Sequence, residues 1–222
     1  MKLAIISANL GGYEQLAEWP SLEVPPGVEV QVLRLTDREL PPRPLAMTSR
    51  LQCGIPKWFG VEFAPDADVI LWIDASCAPT PTAVSWFLDR LHGEVAVFAH
   101  PERQTIREEY HFIAGRMARP GERYLTSRYQ GEWLHEQFAE IERVGLAGLP
   151  LYASTAFAYR PTVRVQAALR DVFVAKARYC LHDQLSFPVA LHQHGCRVTV
   201  LPDNYLHCEA LTFTRVGKRR SA

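Results

Sequence analysis

The sequence lacks the features that mark several specialised classes of protein. No stretch approaches the roughly 18 consecutive apolar residues of a membrane-spanning helix, and there is no internal repeat or low-complexity segment. Its 222 residues include only five cysteines, an odd number without a Cys-x-x-Cys pair, which fits neither a disulfide framework nor a zinc site. We therefore expect a cytoplasmic protein with reduced thiols and no membrane partner.

The chain has a formal net charge of zero, because it carries 24 basic and 24 acidic residues. This balance argues against a protein that holds nucleic acid by bulk electrostatics alone. Lysine is scarce, since Lys2, Lys57, Lys176 and Lys218 are the only lysines and the other basic residues are arginine. The excess of arginine suits recognition of phosphates or carboxylates, and it equally suits a GC-rich genome.

Several common catalytic and nucleotide-binding motifs are absent as well. The Gly11-Gly12 pair follows the first apolar run but is not part of a G-x-G-x-x-G pattern, and no P-loop is present. There is also no G-x-S-x-G or H-E-x-x-H sequence. The chain therefore carries no dinucleotide fingerprint, nucleophile elbow or zinc-protease helix.

Hydrophobic patterns predict strands that alternate with helices along the chain. Apolar or alternating runs predict strands at 2–7, 28–35, 68–74, 95–99, 152–159 and 197–201. Helical spacing and capping signals predict helices at 45–59, 80–91, 125–141, 165–173 and 186–194, with Pro188 in a first turn. This order is typical of an α/β fold with a mainly parallel central sheet flanked by helices. We expect one domain over residues 1–213 and a basic, flexible tail over 214–222.

Polar side chains stand where the predicted strands end, which is where sheets of this type bind their ligands. Asn9 follows the first strand, Asp74 and Ser76 follow the most apolar strand, and His100 follows the next one. A carboxylate at the position of Asp74 can hold a divalent metal whose other ligands are diphosphate oxygens. The alternative is that Asp74 only caps a turn.

The segment FAHPERQTIREEY concentrates charged side chains just beyond a strand end. Arg103 is suited to clamp a phosphate or a sugar carboxylate, and Glu108 or Glu109 to bind sugar hydroxyls. The alternative is a solvated helix stabilised by ion pairs between its own side chains.

Two later segments offer further candidates. Asp183 and Gln184, in HDQLSF, precede a predicted helix, where Asp183 is either a carboxylate on the acceptor side or a helix cap. His207 follows the last predicted strand and is either a late metal ligand or a surface histidine.

Taken in order, these segments resemble a known family. Arg50 and Lys57 stand in SRLQCGIPKWF, ahead of the central strand. The central strand and the residues after it read DVILWIDAS, and the segment FAHPERQTIREEY follows later in the chain. The turn and strand GLPLYASTAF, closing on Arg160, and the run HDQLSF complete the pattern between about residues 45 and 190. The chain resembles the glycosyltransferase-like domain family of plant mucilage and turgor-regulation proteins.

The resemblance implies a GT-A-type fold that transfers a sugar from a nucleoside-diphosphate sugar, expected to be UDP-linked, to an acceptor hydroxyl. Asp74 would stand in the acidic metal-binding motif of such enzymes, with Mn²⁺ or Mg²⁺ as cofactor, although Ser76 replaces the second acid. Arg50 and Lys57 would lie over the nucleotide or its diphosphate, and Asp183 near the acceptor or the transferred sugar. His207 would be a further metal ligand by the habit of GT-A enzymes.

The chemistry assigns roles to these candidates. The leaving diphosphate must be neutralised, for which Arg50, Lys57, Asp74 and His207 are suited. Orientation of the donor sugar falls to Arg103, Glu108 and Glu109, and Asp183 is the candidate base for the acceptor hydroxyl. The remaining candidates for substrate binding are Asn9, Ser76, His100 and Gln184.

Two rival functions remain open at this point. The missing second acid favours a protein that binds a nucleotide sugar without transferring it. A transferase acting on a hydroxylated base in phage-type DNA is the other rival, which the basic tail allows and the zero net charge disfavours.

Overall fold

The computed structural model describes residues 1–12, 14 and 18–213, and these form one α/β domain. The expected tail at 214–222 lies outside the described residues. No helix in the described part of the chain has the length and apolar character needed to cross a membrane.

The centre of the molecule is a six-stranded mixed sheet. Its strands are β1 (Lys2–Asn9), β2 (Glu29–Thr36), β3 (Val69–Ile73), β5 (Val95–Ala99), β6 (Tyr152–Tyr159) and β7 (Val198–Leu201), and their spatial order is β2-β1-β3-β6-β5-β7. Only β6 runs against the other five. The predicted α/β class with a mainly parallel sheet is therefore confirmed. A small antiparallel pair, β4 (Cys77–Pro79) with β8 (Leu211–Phe213), completes the strands.

Helices cover the sheet. They are α1 (Ser49–Gln52), α2 (Gly54–Trp58), α3 (Gly60–Phe63), α4 (Ala83–Arg90), α5 (Ile106–Met117), α6 (Tyr124–Tyr129), α7 (Leu134–Arg143), α8 (Val163–Arg178) and α9 (Asp183–Gln193). One apolar cluster packs α4 on one face of the sheet, and another packs α2, α8 and α9 on the opposite face. The alternating side chains of fully buried β3 serve both clusters, which is why its sequence is apolar throughout.

The predicted single helix at 45–59 is wrong, because this region forms two short helices, the first of which begins at Ser49, and a third follows from Gly60. Thr48 caps the first of them, since its hydroxyl accepts a hydrogen bond from the Leu51 amide. Gly60 begins the third, and a Cβ there would lie 2.5 Å from the Tyr159 hydroxyl. The absence of a side chain at Gly60 therefore lets this segment lie directly against the sheet.

Two other helix predictions also need correction. The predicted helix at 125–141 is split between α6 and α7, because Gly131 has a φ of +83° and the Trp133 amide bonds to the Tyr179 carbonyl instead. The helix expected at 186–194 begins at Asp183, so Pro188 lies inside α9 rather than in its first turn. The early start places Asp183 in the first turn of the helix.

The antiparallel direction of β6 shapes the edge where a ligand would bind. Ile73 at the end of β3 is paired with Ala156, and Ala99 at the end of β5 is paired with Tyr152. The first residues of β6 therefore lie at the same edge as the carboxyl ends of the parallel strands, and they contribute side chains to it.

Candidate functional site

A groove of about 880 Å³ opens at this edge of the sheet, within the size range of small-molecule sites. Nine of the predicted site residues line it, namely Asn9, Arg50, Lys57, Asp74, Ser76, Arg103, Glu109, Asp183 and Gln184. Among the described residues that form its walls, His100, Glu108 and His207 do not appear.

Lys57 is the centre of a buried polar cluster in the groove. Its side chain is 8% exposed, and its Nζ lies 3.3 Å from Asp74 Oδ1 and 3.2 Å from Asp183 Oδ2. The same ammonium donates a hydrogen bond of 3.2 Å to Ser154 Oγ. A buried charge is tolerated only with such partners, so Lys57 is held by groups from three separate elements.

The carboxylate of Asp74 is fixed from behind and open in front. Its Oδ1 accepts a hydrogen bond of 2.6 Å from the Trp72 indole, and its backbone amide donates to the Thr155 carbonyl at 2.8 Å. The side chain is 35% exposed. Asp74 therefore presents a fixed negative charge to the groove at the point where β3 ends.

Asp183 is enclosed by donors. Its Oδ1 accepts a hydrogen bond of 2.9 Å from Ser154, while Oδ2 faces the ammonium of Lys57 and, at 3.4 Å, that of Lys176. Lys176 is 6% exposed and belongs to the last turn of α8, whose packing on α9 brings the two side chains together. Asp183 thus links Lys57 and Lys176 across the floor of the groove.

Electrostatics fixes the charge states of this cluster. Burial would raise the pKa of Asp183, but Lys57 and Lys176 outweigh it and hold that pKa well below its usual range. Burial would likewise lower the pKa of Lys57, and the carboxylates of Asp183 and Asp74 outweigh it, so the pKa is raised. The Asp183 carboxylate and the Lys57 ammonium are therefore both ionised at neutral pH. A carboxylate held in this way is a weak base, and the geometry favours a role for Asp183 in positioning the two lysines.

A second ion-paired network borders the groove next to the first. Arg103 pairs with Glu109, and the other oxygen of Glu109 lies 2.9 Å from His182 Nε2. Burial would raise the pKa of Glu109, but His182 and Arg103 outweigh it and lower the pKa to about 2. Because His182 directly precedes Asp183 in the chain, the two networks are joined through the backbone.

The remaining candidates of the FAHPERQTIREEY segment shape its backbone. His100 Nδ1 accepts a hydrogen bond of 3.1 Å from the Arg103 amide, and burial lowers the pKa of this histidine. The Thr105 hydroxyl accepts from the Glu108 amide at 3.2 Å and caps the start of α5, and the Glu108 carboxylate accepts from the Gln104 amide, one residue before the cap, at 2.7 Å. These contacts fix the loop that presents Arg103.

Asn9 organises the loop that follows β1. Its side-chain amide donates to the Glu14 carbonyl at 2.7 Å and its side-chain oxygen accepts from the Glu14 amide at 3.1 Å. The turn needs Gly11 (φ +69°), because a Cβ there would lie 2.8 Å from Ser49 Oγ. This close approach joins the loop to α1, from which Arg50 reaches the groove.

The metal expectation can be compared with the donor atoms present. No group of three or more ligating side chains occurs among residues 1–12, 14 and 18–213. His207 is exposed and stands outside the groove lining. Asp74, with one oxygen already engaged by Trp72 and Lys57, is suited to one metal bond through its other oxygen. Such an ion would be held mostly by ligand oxygens and water, as Mg²⁺ commonly is.

The sequence reasoning missed several residues that complete the site, namely Trp72, Tyr129, Ser154, Lys176 and His182. Lys176 stands in an amphipathic helix, where a lysine normally faces solvent. Its position on the buried stripe, seven residues after Leu169 and four after Val172, is the signal that identifies it. The sequence did not indicate Ser154, because the direction of β6 in the sheet decides whether this residue lies at the edge where a ligand would bind.

Comparisons with known proteins give likenesses among solved structures. No protein-family model and no curated protein matches the chain. The structure is similar to that of mouse xyloside xylosyltransferase 1 in its apo form, with a TM-score of 0.40 and 12% sequence identity. The match covers 78% of this chain and 63% of the chain of the mouse protein.

Proposed function

We propose that the chain is a glycosyltransferase that moves a sugar from a nucleoside-diphosphate sugar, expected to be UDP-linked, to an acceptor hydroxyl. The observation that carries the proposal is the buried cluster of Lys57, Lys176, Asp74 and Asp183 at the strand ends of the groove. Keeping the charged side chains of Lys57, Lys176 and Asp183 away from water, each 15% exposed or less, costs stability. A binding site for a charged, polar ligand gives a reason to retain them.

The charges of this cluster suit a diphosphate that arrives with an additional cation. Two lysines and two aspartates sum to zero, and the Arg103–Glu109 pair adds nothing. Arg50, which also lines the groove, supplies positive charge at its rim. In this proposal Asp74 would hold Mn²⁺ or Mg²⁺, and the ion would supply positive charge that neutralises the leaving group.

The other residues of the groove would hold and orient the donor. Lys57 would supply positive charge beside the diphosphate from a fixed position, because Asp183 and Ser154 restrain its ammonium. Arg103, restrained by Glu109, faces the groove and is suited to orient the sugar. Such restraint reduces the reorganisation that the transition state requires. The closer relationship to the plant mucilage family and a cytoplasmic location stay predictions.

The test is a thermal-shift screen of UDP and UDP-sugars, each with and without Mn²⁺. A ligand at about 100 times its Kd adds about 2.7 kcal/mol of stability, which corresponds to roughly 5–10 °C for a domain of this size. Lys57→Met should abolish the shift. Lys2→Met is the matched control, because Lys2 is 54% exposed and pairs with Asp66 at the surface.

The outcomes separate the proposal from its rivals. Binding without release of UDP from any UDP-sugar would favour a non-catalytic nucleotide-sugar-binding protein. A shift with hydroxymethylated duplex DNA, lost at high salt, would favour the DNA-modifying transferase. If no nucleotide sugar binds under either metal condition, the proposed function is refuted.

A further inference from the structure

The network around His182 extends to a tyrosine on the wall of the groove. His182 Nδ1 lies 3.0 Å from the Tyr129 hydroxyl, and His182 Nε2 lies 2.9 Å from Glu109 Oε1. The carboxylate, the imidazole and the phenol therefore lie in sequence, with an ion-pair contact between Glu109 and His182 and a hydrogen bond between His182 and Tyr129. Glu109 and His182 are 4% and 11% exposed, and all three residues line the groove.

The charge on Glu109 decides the direction of these contacts. Because Glu109 is ionised, its oxygens only accept, so in the imidazole with a single proton that proton lies on Nε2, the nitrogen facing Glu109. Nδ1 then carries the lone pair and accepts a hydrogen bond from the Tyr129 hydroxyl. Burial raises the pKa of Tyr129. The phenol therefore stays protonated, and it is suited to pass on a proton while it receives another.

Resting on the proposed function, we propose that Tyr129, His182 and Glu109 form the proton relay that accepts the proton of the acceptor hydroxyl. As the acceptor oxygen bonds to the anomeric carbon, its proton passes to Tyr129 Oη while the proton of Tyr129 passes to His182 Nδ1. The bond between the anomeric carbon and the diphosphate oxygen breaks, and its electron pair leaves with the diphosphate. The imidazolium that forms is stabilised by the carboxylate of Glu109, and it later loses its proton to water.

The neighbouring carboxylates are less suited to this step. Asp183 has both oxygens engaged, by Ser154 on one side and by two lysines on the other. Asp74 accepts from Trp72 and faces Lys57. An oriented imidazole whose free lone pair is reached through a hydroxyl is a better proton acceptor at neutral pH.

The test compares two tyrosine-to-phenylalanine variants. Tyr129→Phe removes the hydroxyl and keeps the ring, and Tyr110→Phe removes a similar contact, 2.9 Å from His135 Nδ1, outside the groove. Turnover is the release of UDP from the UDP-sugar that binds in the screen, with water as acceptor. We expect Tyr129→Phe to lower turnover about 100-fold with unchanged UDP affinity, and Tyr110→Phe to leave both unchanged. Undiminished turnover in Tyr129→Phe overturns the relay.

Two further measurements distinguish the relay from a structural contact and from failure of the proposed function. In protein labelled with ¹⁵N-histidine, the Nδ1 resonance of His182 should shift in Tyr129→Phe, and an unchanged resonance overturns the relay. If Tyr129→Phe loses UDP binding, His182→Gln with binding intact must show the same loss of turnover, and normal turnover refutes the relay. Absence of UDP binding in the parent protein instead refutes the proposed function.

Discussion

Replacement of Asp183 tests the buried cluster most severely. Asp183→Ala removes the partner of Lys57 at 3.2 Å and of Lys176 at 3.4 Å, together with the acceptor of the Ser154 hydroxyl. Both lysines are less than a tenth exposed, so neither ammonium reaches water without moving. Loss of one partner from a buried ion pair costs about 3–5 kcal/mol, because the other charge stays buried.

The assay for this variant is thermal unfolding at neutral pH. For a domain of about 200 residues, 3–5 kcal/mol corresponds to a fall in Tm of roughly 6–20 °C. Asp171→Ala is the matched control, because Asp171 is 54% exposed and pairs at 2.7 Å with His194 at the surface. Exposed pairs contribute about 0–1 kcal/mol, so this variant should unfold close to the parent.

The pH dependence adds a second condition to this prediction. Because folding lowers the pKa of Asp183, its stabilising effect is complete above the unfolded pKa of about 3.9 and is lost as the pH falls through the folded value. The difference in Tm between parent and Asp183→Ala should therefore narrow below about pH 4. A variant that unfolds with the parent at neutral pH would refute the buried cluster.

Three further predictions concern other parts of the fold and site. Asp74→Asn should keep the fold, since an amide oxygen still accepts from Trp72, but any gain in UDP affinity from Mn²⁺ should disappear in calorimetric titration. Gly60→Ala should cost about 1–3 kcal/mol in urea unfolding because of the Tyr159 hydroxyl, and adding Tyr159→Phe should restore part of it. Glu109, whose pKa falls from 4.5 to about 2 on folding, should stabilise the parent relative to Glu109→Gln, by an amount that declines from pH 4.5 towards pH 2 in acid-unfolding curves.

Strands were easier to predict than helices because burial fixes their composition. All six predicted strands are present, and the run at 68–74 is the central strand β3 as its continuous apolar character indicates. The errors at 45–59 and 125–141 share one cause, because the spacing of apolar residues continues across a point where the helix itself is interrupted. After α6 the chain turns at Gly131, which has a positive φ, and the Trp133 amide bonds to the carbonyl of Tyr179, a residue far along the chain. At Pro188 the error is the reverse, because a proline was expected only in a first turn and the helix continues through it. There α9 packs against α8.

The candidate site divides in the same way. Strand-end residues such as Asp74 were predictable, because the carboxyl ends of parallel strands share an edge. Lys176 and Ser154 were not, because their contribution depends on helix packing and on the reversed direction of β6. Asp183, for which a helix cap and a site residue were the alternatives, lines the groove and joins two buried lysines there.

The position of a bound diphosphate tests the central claim most directly. A crystal structure of the protein with UDP and Mn²⁺ would locate the phosphates against the protein. The account predicts that they lie in the groove at the ends of β1 and β3, in contact with Lys57 or Arg50 and on the exposed side of Asp74. Phosphates bound at the opposite edge of the sheet, or in the surface groove of about 350 Å³ beside Trp19 and Arg34, would contradict it.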